Sequence, residues 1–136
     1  MKELQALLED VQQQESLSDS LRGKQRISAK MNDFDIDCIV LDEETKGNLM
    51  IEESWRAMEG PTLMPSLGKI GLFKGKLITL CGRLKEVSIN VKGTSTTEDF
   101  EVVRFVEDIA PFPLVLGKTW IERDQIRQRE EEVAIS

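Results

Sequence analysis

Histidine is absent from all 136 residues. That excludes His-based triads and His zinc sites, and leaves carboxylates as the natural acid–base groups. Only two cysteines are present, Cys38 and Cys81. They form neither a disulfide framework nor a zinc-ligand pattern, so no metal and no cofactor is implied. Each lies in an apolar run, so both read as buried free thiols. An intracellular, cytoplasmic, reducing setting is the expectation. No apolar run has the length of a membrane span, and none reads as a signal peptide, so no membrane partner is expected. Cations are outnumbered: 18 Lys and Arg stand against 25 Asp and Glu, a formal net charge of -7. This argues against binding nucleic acid through a broad basic surface. There is no internal repeat, so the chain carries one lobe.

The length suits a single domain, and 40% apolar residues supply a real core. The most informative stretch runs from Cys38 to Met50. Ile39, Val40 and Leu41 lead straight into Asp42. A polar turn follows, then Asn48, Leu49 and Met50. An apolar run bounded by such a turn predicts a buried strand that presents Asp42 at the rim of a sheet. The bland alternative is a strand ending in an ordinary acidic turn.

Residues 1–14 place Leu4, Leu7, Leu8 and Val11 at helical spacing, which predicts a short amphipathic helix. Residues 16–20 read as a polar linker. Arg22, Lys24, Arg26 and Lys30 extend that linker to residue 30 as a solvated basic stretch. The folded domain is expected to begin near Met31. Phe34, Ile36 and Cys38 alternate with Asp33, Asp35 and Asp37, the period of a half-buried strand with an acidic outer face that suits an edge. Residues 51–58 predict a short helix with Ile51, Trp55 and Met58 on one face, ended by Gly60-Pro61. Residues 70–80 predict a hairpin with its tip at Phe73, Lys74, Gly75 and Lys76. Residues 84–91 and 100–106 read as strands, with a turn over residues 93–97. Leu114 to Leu116 reads as a short buried strand. Residues 119–132 are helical in composition, with Trp120, Ile121 and Ile126 as anchors.

Taken in order, these features resemble the retropepsin family, the aspartic proteases of retroviruses and long-terminal-repeat retrotransposons, in particular the forms of plant retrotransposons. The residues that carry the resemblance are Asp42, Asn48-Leu49-Met50 and Leu114-Val115-Leu116-Gly117-Lys118-Thr119-Trp120. It covers residues 31–127, leaving 1–30 as helix and linker and 128–136 as a charged tail or helix end. It implies a mostly β, single-lobe closed domain with two short helices, after Met50 and after Gly117. It also implies that Asp42 is catalytic and that Asn48, Leu116 and Gly117 support its loop. Phe73 to Lys76 would form the flap over a bound peptide. An aspartic protease needs two carboxylates sharing one proton. One lobe supplies one, so the resemblance implies a homodimer acting on a peptide or polyprotein.

The loop Glu43-Glu44-Thr45 departs from the family pattern of a small hydroxyl residue, Gly, then Ala or Ser. Thr45 fits. Glu43 lacks the hydroxyl that would lock two loops across a dimer. Glu44 replaces Gly, adding bulk, charge and a loss of backbone freedom. A dimer would gather Asp42, Glu43 and Glu44 from both copies at one axis. Three functions therefore stand open. The first is a retroelement polyprotein endopeptidase, weak or inactive. The second is a pseudo-protease serving as a dimerisation or peptide-binding module. The third is an unrelated small β-rich adaptor.

Overall fold

The computed structural model describes residues 17–125. The helix expected over residues 1–14 and the tail 128–136 lie outside them. Among the described residues there are seven strands: β1 (Arg26–Met31), β2 (Phe34–Leu41), β3 (Leu49–Ile51), β4 (Ile70–Phe73), β5 (Lys76–Val91), β6 (Thr94–Phe105) and β7 (Leu114–Leu116). Three short helices accompany them: α1 (Leu17–Ser20), α2 (Glu52–Ala57) and α3 over residues 118–125.

The sheet runs β1-β2-β7-β3-β6-β5-β4, and β1 also pairs with β5, which closes it. This is the mostly β closed lobe expected from the strand patterning. The middle of the sheet decides where the site lies. Strand β2 runs parallel to β7, with Val40 opposite Val115 and Leu41 opposite Leu116. Strand β3 runs antiparallel to β7 on its other side. The loop from β2 to β3 therefore has to cross the end at which β7 exits.

Strand β7 and the end of β2, Ile39 and Val40, are apolar at every position because both of their faces are buried. Ile39, Leu114 and Leu116 enter one core cluster with Met31, Ile89, Phe100 and Trp120. Val40 and Val115 enter a second cluster on the opposite face, with Leu17, Leu21, Phe73 and Phe112. Leu114, Val115 and Leu116 are all fully buried. Burying a single aliphatic side chain of this size contributes about 1.5–3 kcal/mol.

Residues 17–30, expected as linker, belong to the fold. Leu17 and Leu21 lie four residues apart on one face of a helical turn, and both are buried. Ala29 and Met31 point into the core from β1, while Arg26, Ser28 and Lys30 alternate outward. The basic residues are thus the solvent face of a strand, and Arg26 donates a hydrogen bond to the Pro111 carbonyl at 3.0 Å.

Cys38, expected buried, is exposed. The β1–β2 register slips between Ile27 and Ala29, and Cys38 sits opposite that slip with φ 63°. An extra residue in one strand bends it and turns one side chain outward. Cys81 is half-buried, and its thiol donates to the Glu52 carboxylate at 3.1 Å.

The turn expected over residues 93–97 is tighter. Lys92 and Gly93, both at positive φ, join β5 to β6, which begins at Thr94. Two adjacent positive φ values give the two-residue hairpin turn whose twist matches its strands. Trp55 in α2 and Met58 just after it face the first core cluster as expected, but Ile51 closes β3 and packs on the second.

Candidate active site

Asp42 is the first residue after β2, and its side chain is fully buried. Its backbone N–H donates to the Leu116 carbonyl at 3.1 Å, which continues the β2–β7 ladder by one residue. The loop then folds back on the carboxylate. The Glu44 N–H donates to Oδ1 at 3.1 Å, and the Thr45 hydroxyl donates to Oδ2 at 2.7 Å.

The segment after β7 supports this loop from beneath. Asn48 Oδ1 accepts from the Gly117 N–H at 3.0 Å, and its Nδ2 donates to the Asp99 carbonyl at 3.1 Å. Asn48 therefore ties the loop to β6 as well as to the exit of β7. The Lys118 N–H donates to the Thr45 carbonyl at 2.6 Å, and the Thr119 hydroxyl to the Lys46 carbonyl at 3.1 Å. The first turn of α3 thus spends its otherwise unpaired amides on the loop. Gly117 lies where a Cβ would overlap the carbonyl oxygens of Gly47 and Thr45. Only hydrogen fits at that crossing. Trp120 and Ile121, both buried, anchor α3 in this position.

Glu44 is not among the residues at positive φ. The loop therefore carries no left-handed strain at this position, contrary to the expectation drawn from the missing Gly. Nor does the charge of Glu44 stand alone. Lys74 Nζ lies 2.9 Å from Glu44 Oε2 and 3.0 Å from Asp42 Oδ2. Lys24 Nζ lies 3.3 Å from Asp42 Oδ1 and 3.6 Å from Glu44 Oε1. Two lysines thus face two carboxylates. Glu43 is exposed beside this group, on an open cleft that Leu41 and Trp120 also line.

Lys74 reaches Asp42 because the β4–β5 hairpin lies down over the loop. Lys74 and Gly75 form its two-residue turn, at φ 48° and 78°. Phe73, just before the turn, is buried and meets Phe112 edge-on at 5.7 Å and Phe105 at 6.1 Å. The outer face of the same hairpin exposes Ile70 and Leu72. Lys24 arrives on the segment that follows the helical turn fixed by Leu17 and Leu21.

The electrostatics follow from these contacts. Burial pushes the Asp42 carboxyl up more than any other single effect. The Thr45 hydroxyl, the Lys74 ammonium and the Glu44 amide together outweigh it and hold Asp42 below its ordinary value. Glu44 is lowered mainly by Lys74. Burial works against the charged form of Lys74, but the two carboxylates raise it overall. Asp42 is thus held as a carboxylate. Among the described residues no cluster of acids and thiols is arranged to hold a metal ion.

The structure therefore brings Asp42, Thr45, Asn48, Leu116 and Gly117 together, with the hairpin tip above them. Sequence reasoning missed Lys24, taken as linker, and gave Lys74 only as part of a flap tip, without its contact to Asp42. The available signal was the acidic run itself, since three acids ending a buried strand call for nearby cations.

The retroviral protease-like domain of Ddi1 from Leishmania major superposes on this chain with a TM-score of 0.55, covering 75% of this chain and 76% of that domain at 16% identity. The chain has the fold of a retroviral protease-like domain. The EIAV protease complexed with an inhibitor also matches, over 76% of this chain and 89% of its own at 15% identity, with a TM-score of 0.47. The fold assignment rests on the Ddi1 domain. No family model matches the sequence, and no curated protein matches it. The retroviral protease-like fold is thus visible in the backbone at an identity too low to carry function with it.

Proposed function

We propose that this chain is one half of an aspartic endopeptidase of the retroviral type, with Asp42 as its carboxylate. The observation that carries this reading is the buried Asp42 at the end of β2, gripped by the Glu44 amide and the Thr45 hydroxyl of its own loop. A second copy would bring a second Asp42 across a two-fold axis, because one lobe contributes only one. The pair would share a proton. One carboxylate takes a proton from water as the oxygen attacks the peptide carbonyl carbon. The other protonates the carbonyl oxygen, and the C–N bond then breaks as the nitrogen gains a proton.

Cleavage by the protein as it stands is weak at neutral pH, since Thr45 and Lys74 help to hold Asp42 ionised and both Lys24 and Lys74 engage its oxygens. Its substrate class is extended polypeptide, of the kind met in a retroelement polyprotein. A pseudo-protease, kept for dimerisation or peptide binding, is the second reading. It is favoured by the same observation, that both oxygens of Asp42 already face a lysine.

The test is cleavage of unfolded casein between pH 3 and 7 by the unaltered protein and by Asp42→Ala. Cleavage that rises toward acid and disappears in Asp42→Ala supports the endopeptidase. Cleavage that persists in Asp42→Ala removes the aspartic mechanism. Peptide binding without cleavage at any pH selects the pseudo-protease.

A further inference from the structure

A carboxylate offers about four acceptor positions, two on each oxygen. At Asp42 each oxygen accepts one hydrogen bond and lies beside one ammonium group. Oδ1 faces the Glu44 amide at 3.1 Å and Lys24 at 3.3 Å. Oδ2 faces the Thr45 hydroxyl at 2.7 Å and Lys74 at 3.0 Å. The amide and the hydroxyl belong to the loop itself. Both ammonium groups come from elsewhere in the chain. While they stay, the two ammonium groups stand where a water or a second carboxylate would have to approach these oxygens.

We propose that Lys24 and Lys74 form an autoinhibitory latch that holds the β4–β5 hairpin shut over Asp42 in the single subunit. The latch rests on the reading of Asp42 as a protease carboxylate for its purpose, but not for its existence. It has two parts with different chemistry. The ionic part is Lys74 between Asp42 and Glu44, with Lys24 completing the square. The apolar part is Phe73, which is 5% exposed and wedged between Phe105 and Phe112. Opening the tip breaks the ion pairs and withdraws Phe73 from the second core cluster. Glu44 thereby acquires a role. With Gly in its place Lys74 would have one carboxylate to hold instead of two.

The same geometry makes the latch sensitive to acid. The charged groups meeting at Asp42 are Glu44 from its own loop, Lys74 from the hairpin and Lys24 from the segment after α1. Protonating the two carboxylates removes the attraction for both lysines and leaves Phe73, buried Ile78 and the Lys76–Asp108 ion pair at 3.4 Å to keep the hairpin down. A partner subunit or an extended peptide would achieve the same displacement by occupying the space of Lys74.

The experiment follows amide hydrogen exchange of the hairpin, corrected for the intrinsic rate of an unstructured peptide. It compares the unaltered full chain with Lys74→Gln and Lys24→Gln, each alone, at pH 7 and pH 3. Casein cleavage is measured in the same samples. The latch predicts that tip protection falls at least tenfold in Lys74→Gln at pH 7, and in the unaltered protein at pH 3. Cleavage at pH 6 should rise at least tenfold in Lys74→Gln. Tip protection that is unchanged by either substitution and by acid overturns the proposal. A loosened tip with no cleavage in any protein supports the latch and removes the protease reading, so the two failures are distinct.

Discussion

Replacing Gly117 by Ala tests the crossing on which the site is built. The new Cβ would overlap two backbone oxygens, those of Gly47 and Thr45, and neither can rotate away as a side-chain end can. Either the loop or α3 must move. Overpacking of this kind costs about 1–3 kcal/mol. Moving the loop also stretches the Gly117–Asn48 and Lys118–Thr45 hydrogen bonds, each contributing roughly 0.5–1.5 kcal/mol. Together these give a loss of about 2–6 kcal/mol, a large share of the usual 5–15 kcal/mol of domain stability. Gly47→Ala is the matched control. It lies in the same loop, lacks a positive φ, and has nothing within 4 Å of its added Cβ. Its expected effect is within about 0.5 kcal/mol, as for surface changes that touch nothing. Urea unfolding followed by tryptophan fluorescence measures both, since buried Trp120 lies in the segment that must shift. Equal midpoints for the two variants would refute the close crossing.

Acid should weaken the fold. Asp42 and Asp99 are both lowered in the native state, so their stabilisation is complete above the usual carboxylate range of about 4 and declines as pH falls through and below it. A urea midpoint at pH 3 as high as that at pH 7 would contradict this. The two thiols should separate kinetically. Cys38 is exposed and should react quickly with a disulfide reagent at pH 8, whereas Cys81, pushed up to about 11 by burial and by the Glu52 carboxylate, should react only on unfolding. Cys38→Ser should abolish the fast phase, and a surviving fast phase would place the bulge wrongly. Phe73→Ala empties a buried aromatic site, a change that costs about 3–5 kcal/mol in well-packed cores. Its effect should concentrate on hairpin exchange, and uniform loss of protection across the sheet would count against a separately hinged tip.

The elements written as continuous apolar runs were legible from the residues alone. Ile39 to Leu41 and Leu114 to Leu116 can only be strands covered on both faces, and they lie side by side. The Lys74-Gly75 turn was legible because a two-residue hairpin turn wants positive φ at both positions. Three things were hidden. Leu17 and Leu21 are isolated leucines in a polar stretch, and only the second core cluster shows what they bury against. The bulge at Cys38 shifts the side-chain alternation by one, and periodicity cannot reveal an inserted residue without its partner strand. The lysine contacts join segments far apart in sequence, and a charge pattern read locally assigns each lysine to solvent. The consequence reaches the site. From sequence, Glu44 looked like damage to a Gly position, whereas the structure gives it an unstrained backbone and two cationic partners.

The most direct measurement is a crystal structure of the Lys74→Gln protein grown in acid with a peptide bearing a hydroxyl in place of the scissile carbonyl. The account predicts two copies related by a two-fold axis, with both Asp42 carboxylates on that hydroxyl and the β4–β5 hairpins lifted over the peptide. A single subunit binding the peptide away from Asp42, or a dimer whose two Asp42 residues lie far apart, would contradict it.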